Sequence, residues 1–441
     1  MAGLYDVAEK LNVGIIGGGY GGMAAAVKLA EQGIPVTVFE SAKQLGGRAR
    51  GMLYNQTQLD NGQHILLGCY RHTLQLIEQV GGNIRRDFLR LPLQLTLNNC
   101  FELKAPALHA PFHLLVGLLS AKGLSFTQRV SAARFMLAMR RINYSLPHDK
   151  IALKLLHEYG QDDQLIRLLW EPICISALNT PVFKASAQIL LNVLRDSLNG
   201  PRSDSDMLLP RVDFSTLFPD RAAEYITQHG GQVITSCGVD QITTIANEIE
   251  LVTASGSQRF SHVICAASPA NSSRLFGTVP ELSKISAQIE ALNFQPIYTV
   301  YLQYPESVRL PNAMLGLDQC FTQWLFDKGR IAGQHGLIAA VISAEGLHQR
   351  LVHAELAQEV ARELREELGI TDTPLWQHVI AEKRATFSCE PELLRPSHTT
   401  PMPNLFLAGD YTAGDYPATL EGAVMSGIRC AQSILNSRSV I

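Results

Sequence analysis

The sequence has little charge and no organised cysteine pattern. Only 17% of its 441 residues are charged, and 37 Lys and Arg against 40 Asp and Glu give a net charge of −3. These values exclude a disordered chain and a globally basic nucleic-acid binder. The eight cysteines include no CxxC pair. We therefore expect neither a disulfide framework nor a zinc site, predict no metal site, and favour a reducing, cytoplasmic compartment.

The sequence also lacks long hydrophobic runs. No stretch of about 18 or more apolar residues is present, and the N-terminus has no basic leader followed by an apolar segment. We predict neither a membrane-spanning helix nor a signal peptide, so any membrane contact should be peripheral. Hydrophobic residues nevertheless make up 46% of the chain. At this length they predict two domains, each with its own core.

The N-terminal segment has the order strand, glycine turn, helix, strand. Gly17, Gly19 and Gly22 have the G-x-G-x-x-G spacing. In this motif the first glycine permits a tight turn, the second lets a pyrophosphate approach the backbone, and the third lets helix and strand pack closely. The helix, predicted from Met23, would present free N–H groups to the phosphates. Glu40 should accept hydrogen bonds from an adenosine ribose, so the pattern predicts a dinucleotide site rather than an ordinary βαβ unit.

The next motif selects among the dinucleotides. Residues 45–50, Leu-Gly-Gly-Arg-Ala-Arg, resemble the second motif of flavoproteins of the amine oxidase and carotenoid desaturase superfamily. The resemblance implies that Gly47 and Arg48 line the pyrophosphate and flavin of FAD. The chemistry agrees, because an arginine fork suits pyrophosphate oxygens and glycine lets the backbone approach a flat ring. The alternative is a surface turn with basic residues.

The C-terminal segment resembles the same superfamily. A short apolar strand ends in Gly409-Asp410, and a helix opens at Leu420-Glu421-Gly422. The resemblance implies that the Gly-Asp pair contacts pyrophosphate and the ribityl chain. It also implies that the helix start faces the flavin pyrimidine edge, where its dipole would stabilise the reduced form. Taken alone, Gly409-Asp410 is equally compatible with a simple turn. The full predicted cofactor set is Gly17, Gly19, Gly22, Glu40, Gly47, Arg48, Asn61, Gly62, Val239 (through its backbone to adenine), Gly409, Asp410, Glu421 and Gly422.

These motifs predict an α/β fold. A discontinuous Rossmann-like FAD-binding domain is assigned to residues 1–74, 211–274 and 386–441. An α+β substrate domain with an antiparallel sheet is assigned to residues 75–210 and 275–385, because residues 296–304 alternate in the strand period.

One segment of the substrate domain departs from the average composition. Residues 103–148 contain six Lys or Arg, no Asp or Glu, and many large apolar side chains. A basic, apolar segment too short to span a bilayer predicts a helical pair lying on anionic lipid. The alternative is a buried helical hairpin with a solvated basic face.

Four further segments carry a narrower resemblance. They are residues 59–70, which include Asp60-Asn61-Gly62-Gln63-His64, and residues 170–181, 382–387 and 407–412. Together they resemble the squalene-associated FAD-dependent desaturase family, the hydroxysqualene dehydroxylases of hopanoid biosynthesis. The similarity runs through essentially the whole chain. Carotenoid desaturases share part of the first segment.

The resemblance implies reductive loss of the hydroxyl group of hydroxysqualene, a C30 isoprenoid, to give squalene and water. An acid must protonate the leaving hydroxyl, and a hydrophobic tunnel must exclude water. His64 is the first candidate acid because histidine titrates near neutrality, and the alternative is a histidine that only hydrogen-bonds in the flavin pocket. Tyr416 and Glu421 are the second candidates.

Three aromatic residues are candidates for the walls of the tunnel. Tyr298, Tyr301 and Trp324 are candidates for lining the tunnel and stabilising a cation, or they are ordinary core aromatics.

We expect peripheral association with the inner face of the cytoplasmic membrane, because the substrate must come from lipid. The electron donor is left open, since no second G-x-G-x-x-G follows a strand.

Three other functions stay open at this point. A carotenoid desaturase would run the flavin in the opposite direction. An amine oxidase would share the fold but fits the apolar 103–148 segment poorly. An FAD-binding protein without enzymatic activity would use that segment as a partner interface.

Overall fold

The computed structural model describes residues 11–438. Residues 1–10 and 439–441, at the two ends of the predicted FAD domain, lie outside this range. The prediction that there is no signal peptide depends on residues 1–10 and therefore also lies outside the described residues. The strands within it are β1 (Val13–Ile16), β2 (Val36–Phe39), β3 (Gly51–Tyr54), β4 (Thr57–Asp60), β5 (Leu66–Leu67), β6 (Phe88–Leu91), β7 (Gln94–Leu97), β8 (Phe101–Lys104), β9 (Met207–Pro210), β10 (Gln232–Ile234), β11 (Val239–Ile245), β12 (Glu248–Thr253), β13 (Gly256–Phe260), β14 (His262–Cys265), β15 (Phe294–Gln303), β16 (Met314–Gly316), β17 (Trp324–Asp327), β18 (Leu337–Ser343), β19 (Trp376–Phe387) and β20 (Leu405–Leu407).

The helices in the same range connect and cover these strands. They are α1 (Tyr20–Glu31), α2 (Arg71–Gln79), α3 (Ile84–Asp87), α4 (Phe112–Leu119), α5 (Phe126–Arg141), α6 (Ala152–Glu158), α7 (Asp163–Leu165), α8 (Glu171–Leu178), α9 (Ala187–Leu198), α10 (Phe214–Leu217), α11 (Pro219–Gln228), α12 (Pro269–Gly277), α13 (Ser283–Glu290), α14 (Lys328–Ala332), α15 (His353–Leu368) and α16 (Leu420–Arg438). A π-helical segment, Ile166–Trp170, leads directly into α8.

A five-stranded parallel sheet in the order β10-β2-β1-β14-β20 forms the base of the predicted FAD domain. Every residue of β1 and β2 is buried, as expected for a parallel sheet covered on both faces. On one side α1 packs against α16 so closely that a Cβ on Gly427 would lie 2.0 Å from the Gly21 carbonyl oxygen. On the other side Phe260 of β13 packs onto Gly14.

The glycine turn between β1 and α1 leaves no room for side chains. Gly17 has φ +108°, and a Cβ there would lie 2.6 Å from the Ala266 carbonyl oxygen. A Cβ on Gly22 would lie 2.0 Å from the Gly17 carbonyl oxygen. The helix begins at Tyr20, earlier than the predicted Met23, because two of the glycines form its first turn.

The second large element is a seven-stranded sheet in the order β19-β15-β18-β17-β16-β7-β8. Its pairs are antiparallel except for β16 with β7. The predicted strand at 296–304 corresponds to β15, which pairs with β18 and β19, and α15 covers one face of the sheet through Leu356, Val360 and Leu364. Helices α5, α8 and α9 lie against the opposite face, where their buried side chains and those of the sheet form a hydrophobic core.

A small sheet crosses the predicted domain boundaries. Its order is β5-β9-β6, so it joins residues 66–67 of the predicted FAD domain to residues 88–91 and 207–210 of the predicted substrate domain. The two halves are therefore joined by backbone hydrogen bonds as well as by linkers.

Candidate functional site

Two glycine turns form a cradle at the N-terminus of α1. Gly19 and Gly46 pair as a parallel bridge, and a Cβ on Gly47 would lie 3.3 Å from the Gly19 Cα. Gly19 is the N-cap of α1, and no side chain in the described part of the protein caps it. The first-turn N–H groups are therefore available to an anion. This arrangement fits the pyrophosphate of a dinucleotide.

Glu40 ties the glycine turn to the end of β2. Its Oε2 accepts a hydrogen bond from the Gly18 N–H at 2.7 Å, and its Oε1 accepts from the Ala42 N–H at 2.7 Å and the Ser41 hydroxyl at 3.2 Å. A carboxylate has about four acceptor positions, so one is left for a ligand. The ribose contact stays a prediction, as does the adenine contact of Val239, whose carbonyl accepts from Arg274 at 3.2 Å.

Arg48 joins the N-terminal and C-terminal motifs. Its Nη2 donates to Asp410 Oδ1 and its Nη1 donates to the Ala385 carbonyl oxygen at 2.6 Å. The Asp410 side chain is buried, and Gly409 before it has φ +150°, where a Cβ would lie 2.4 Å from the Tyr411 ring. The side chain of Asn61 lies nearby, with Nδ2 3.5 Å from the Arg48 carbonyl oxygen. The two motifs thus form one site, as their predicted cofactor roles require.

Glu421 is fully engaged by helix α2. Its carboxylate accepts from the His72 N–H at 3.0 Å, the His72 Nδ1 at 2.9 Å, the Thr73 N–H at 2.9 Å and the Thr73 hydroxyl at 2.6 Å. These contacts satisfy donors at the start of α2 and fix α2 to α16. With about four acceptor positions in use, no oxygen is free for a substrate. The geometry favours a structural role over the predicted proton-donor role.

His64 does not line the cavity described below, although the next residue, Ile65, does. Its Nδ1 is 2.8 Å from the Gly62 carbonyl oxygen, and since a carbonyl only accepts, Nδ1 carries the hydrogen. The ring centroid is 4.9 Å from that of Phe214. Burial lowers the pKa of His64, and Arg48 lowers it further, although the bond to Gly62 opposes them. This placement favours the alternative interpretation, a histidine that hydrogen-bonds in the flavin pocket.

A cavity of about 200 Å3 lies between α8, α9 and the seven-stranded sheet. Its walls are mostly apolar and include Leu114, Ile173, Ala177, Val193 and Trp324. Residues 416–419, immediately before the start of α16, supply Tyr416, Pro417 and Thr419 to the same cavity. The cavity therefore reaches the predicted flavin edge.

The aromatic residues proposed for the tunnel separate into two groups. Trp324 lines the cavity, and its Nε1 donates to the Ser176 hydroxyl at 2.8 Å. Tyr298 and Tyr301 do not line this cavity, which lies in the described range, and this favours the alternative that they are ordinary core aromatics. Tyr301 is fully buried and donates to the Asp60 carbonyl oxygen at 3.0 Å, while Tyr298 belongs to the core beneath α15.

The sequence analysis missed Asp196, on α9. Asp196 and Tyr416 both line the cavity, although 220 residues separate them in the chain. Burial raises the pKa of Tyr416, and the neighbouring Asp196 carboxylate raises it further. Nothing in the sequence around Asp196 marks it, because only the folded chain brings α9 to the C-terminal loop.

The basic, apolar 103–148 segment contains the end of β8 and helices α4 and α5. Leu114 and Leu118 of α4 line the cavity, whereas Phe112 is 60% exposed and Val116 and Leu119 are also exposed. Lys104 and Lys122 both pair with Glu102, and Arg129 donates to the carbonyl oxygens of Leu124 and Leu119. Across residues 11–438, no helix combines the length and apolar character that a membrane span requires.

Known proteins resemble this chain over nearly its whole length. A hydroxysqualene dehydroxylase of Sinorhizobium fredii is 26% identical over 460 aligned residues, which cover 96% of this chain and 98% of that protein. A zeta-carotene desaturase of Zea mays is 23% identical and covers 96% of this chain and 83% of its own. The structure of a putrescine oxidase triple mutant superposes with a TM-score of 0.76 at 16% identity, covering 97% of this chain and 99% of that one.

The family described as flavin containing amine oxidoreductase matches residues 20–435. Its members bind the flavin that the glycine cradle and the Arg48–Asp410 pair fit, so the predicted cofactor, FAD, is confirmed. The predicted similarity to hydroxysqualene dehydroxylases is confirmed as well. The chain belongs to the family of flavin-containing amine oxidoreductases and is an FAD-dependent oxidoreductase of mixed α/β fold.

Proposed function

We propose that this protein is a hydroxysqualene dehydroxylase, which reduces hydroxysqualene to squalene with loss of water. The observation that carries the proposal is the apolar cavity that ends in a polar group of residues beside the start of α16. An apolar chain with a single hydroxyl group matches such a cavity. The full-length similarity to hydroxysqualene dehydroxylases supports the same substrate.

The reaction moves one proton and one hydride. The proton goes to the hydroxyl oxygen, the C–O bond breaks, water leaves, and hydride reaches the same carbon. Bound reduced FAD supplies the hydride. Because the alcohol is allylic, the adjacent double bond stabilises positive charge as the C–O bond breaks. The apolar walls formed by residues such as Ile173 and Val193 keep bulk water from that charge.

We assign the contact with the leaving hydroxyl to Tyr416 rather than His64. Tyr416 lines the cavity, whereas His64 does not belong to its walls. The raised pKa of Tyr416, caused by burial and Asp196, keeps the phenol protonated and able to donate. His64 instead contacts Gly62 and Phe214 on the flavin side.

A carotenoid desaturase is the second candidate, because zeta-carotene desaturases match the chain over most of its length. It would use the same apolar cavity and the same flavin. Its substrate, however, is a hydrocarbon and has no group that could use the acceptor positions that Arg195 leaves open on Asp196.

An anaerobic experiment separates the two candidates. The chemically reduced holoprotein is mixed with hydroxysqualene, flavin reoxidation is followed by visible absorbance, and the product is identified by mass spectrometry. The proposal predicts stoichiometric reoxidation with formation of squalene. If hydroxysqualene causes no reoxidation and zeta-carotene or phytoene instead reduces the oxidised flavin, the protein is a desaturase.

We also propose that α4 rests on an anionic membrane surface and gives the substrate its route into the cavity. Phe112, Val116 and Leu119 follow one another at helical spacing and are exposed, while Leu114 and Leu118 on the same helix face the cavity. A single helix thus separates the cavity from the outside. The surrounding 103–148 segment contains six basic and no acidic residues; Lys104 and Lys122 pair with Glu102, and the four arginines favour anionic lipid.

Vesicle flotation tests the membrane contact. The protein should float with vesicles that contain phosphatidylglycerol, and a Phe112→Ser, Val116→Ser double variant should lose most of that binding. Leu394→Ser is the matched control, since Leu394 is 79% exposed and lies elsewhere in the chain. Equal flotation of the wild type and the double variant would reject the proposed surface.

A further inference from the structure

The cavity is mostly apolar, and its one charged lining residue lies where α9 meets the C-terminal loop. The residues that line it, all within the described range, include one carboxylate, Asp196, and no lysine, arginine or histidine. An ionised side chain facing an apolar cavity is costly unless a partner compensates for it. Arg195, which does not line the cavity, pairs with this carboxylate, so the question is what the remaining acceptor positions of Asp196 bind.

Asp196 is held in place by its own helix and by the loop opposite. Arg195 Nε lies 2.7 Å from Asp196 Oδ1 and Arg195 Nη2 lies 3.3 Å from Oδ2. One turn earlier on α9, Asn192 Nδ2 donates to the Asp415 carbonyl oxygen at 3.0 Å. This bond fixes α9 against the residue before Tyr416. Asp196 and Tyr416 thereby face the same end of the cavity.

The serines that line the cavity already have partners for their hydroxyl groups. Ser197 donates to the Val193 carbonyl oxygen at 2.7 Å, and Ser205 donates to the Arg202 carbonyl oxygen at 2.8 Å. Ser176 accepts from Trp324 at 2.8 Å. Asp196 differs, because Arg195 takes one acceptor position on each carboxylate oxygen and the Tyr416 hydroxyl takes a further one, which leaves about one position open.

We propose that Asp196 and Tyr416 form a hydroxyl-binding subsite, in which the substrate's hydroxyl inserts between the two side chains, donates a hydrogen bond to Asp196 and accepts the one that Tyr416 otherwise donates to Asp196. The ligand class is a long apolar alcohol, and its identity as hydroxysqualene rests on the proposed function. The subsite orients the C–O bond and discriminates the alcohol from the hydrocarbon product. A ligand without the matching hydroxyl forms neither hydrogen bond and therefore binds more weakly to such a site.

Equilibrium binding to the oxidised holoprotein tests the subsite, since oxidised flavin has no hydride to give and no turnover interferes. Hydroxysqualene and squalene are titrated in detergent micelles, and the change in flavin absorbance gives both dissociation constants. The wild type should prefer the alcohol by about tenfold to a hundredfold, the range expected for hydrogen bonds to a charged group.

The variants Asp196→Ala and Tyr416→Phe should each remove most of that preference and leave the affinity for squalene unchanged. Retained FAD and an unchanged affinity for squalene show that the cavity is intact. Asp163→Asn, which removes the same charge from an exposed position on α7, should keep the wild-type preference. An unchanged preference in both cavity variants, or no preference in the wild type, would overturn the subsite.

Different experimental results would reject the subsite and the proposed reaction. Preference for the alcohol that depends on Asp196, with no squalene formed by the reduced protein, would keep the subsite and reject the proposed reaction. Squalene formation with full preference in Asp196→Ala and Tyr416→Phe would keep the reaction and reject the subsite.

Discussion

The flavin half and the cavity half of this protein are specified in different ways. In the flavin half, backbone constraints within short segments create the site, as at Gly17 and Gly22, where a side chain would collide with main-chain atoms. In the cavity half, side chains from separate segments create it, as when α9 brings Asp196 to Tyr416. The difference explains why one site is visible in the sequence and the other only in the fold.

The largest expected effect concerns the flavin half. In Gly22→Ala the new Cβ would lie 2.0 Å from the Gly17 carbonyl oxygen, so the turn must open and FAD should be lost from the purified protein. Gly33→Ala, in the same βαβ unit, is the control. Gly33 has φ +68° but open space around it, so we expect a cost of about 1 kcal/mol and full FAD content. Full FAD content in Gly22→Ala would contradict the proposed role of the glycine turn.

The second prediction addresses the cavity half. Ala177→Phe places a ring in the cavity and should lower kcat/KM for hydroxysqualene by about a hundredfold, because lost positioning has effects of this size. FAD content should not change. Ala354→Phe on the exposed side of α15 is the matched control and should be fully active. Wild-type activity in Ala177→Phe would show that the substrate binds elsewhere.

The third prediction concerns Glu421, which fixes the start of α2 to α16 within the flavin half. Glu421→Ala leaves the donors of His72 and Thr73 without their acceptor and should lower the free energy of unfolding by about 3 kcal/mol. Denaturant titration measures the loss. A structural role predicts that the folded variant still forms squalene. Wild-type stability combined with abolished turnover would restore the proton-donor hypothesis.

The smallest effect is a pH dependence at the same contact. The hydrogen bond to Glu421 raises the pKa of His72 above its ordinary value of 6.5. The folded protein therefore binds this proton more tightly than the unfolded chain does. The resulting stabilisation is complete below pH 6.5 and disappears as the pH rises through the folded pKa.

His72→Gln should therefore be less stable than the wild type at acidic pH, by less than about 1 kcal/mol because the side chain is 47% exposed, and should approach it at alkaline pH. Denaturant titrations at several pH values measure the difference. A difference that grows as the pH rises would contradict the assigned contact.

The sequence predicted what short segments determine. The order of strand, glycine turn and helix, the C-terminal Gly409-Asp410 pair and the central strand β15 all follow from local spacing and alternation. Trp324, Tyr298 and Tyr301 were candidates for the tunnel or for the core, and of the three only Trp324 lines the cavity. Their orientation depends on which face of the sheet meets α15 and which meets the helices.

The rest could not be predicted because it depends on tertiary contacts. The hydrogen bonds of Glu421 require α2 and α16 to meet. The polar end of the cavity depends on the hydrogen bond between Asn192 and Asp415, which holds α9 against the C-terminal loop. The apolar run in α4 was visible in the sequence. Its division into a cavity face and an exposed face was not, because only packing against the sheet decides it.

The most direct test of the account is a single turnover in D2O. The N5 hydrogen of reduced flavin exchanges with solvent, so the transferred hydride carries deuterium. We predict squalene with one deuterium at the carbon that bore the hydroxyl, identified by mass spectrometry after anaerobic mixing of the reduced holoprotein with hydroxysqualene. Unlabelled squalene, or no squalene while the flavin stays reduced, would contradict the reductive dehydroxylation proposed for this site.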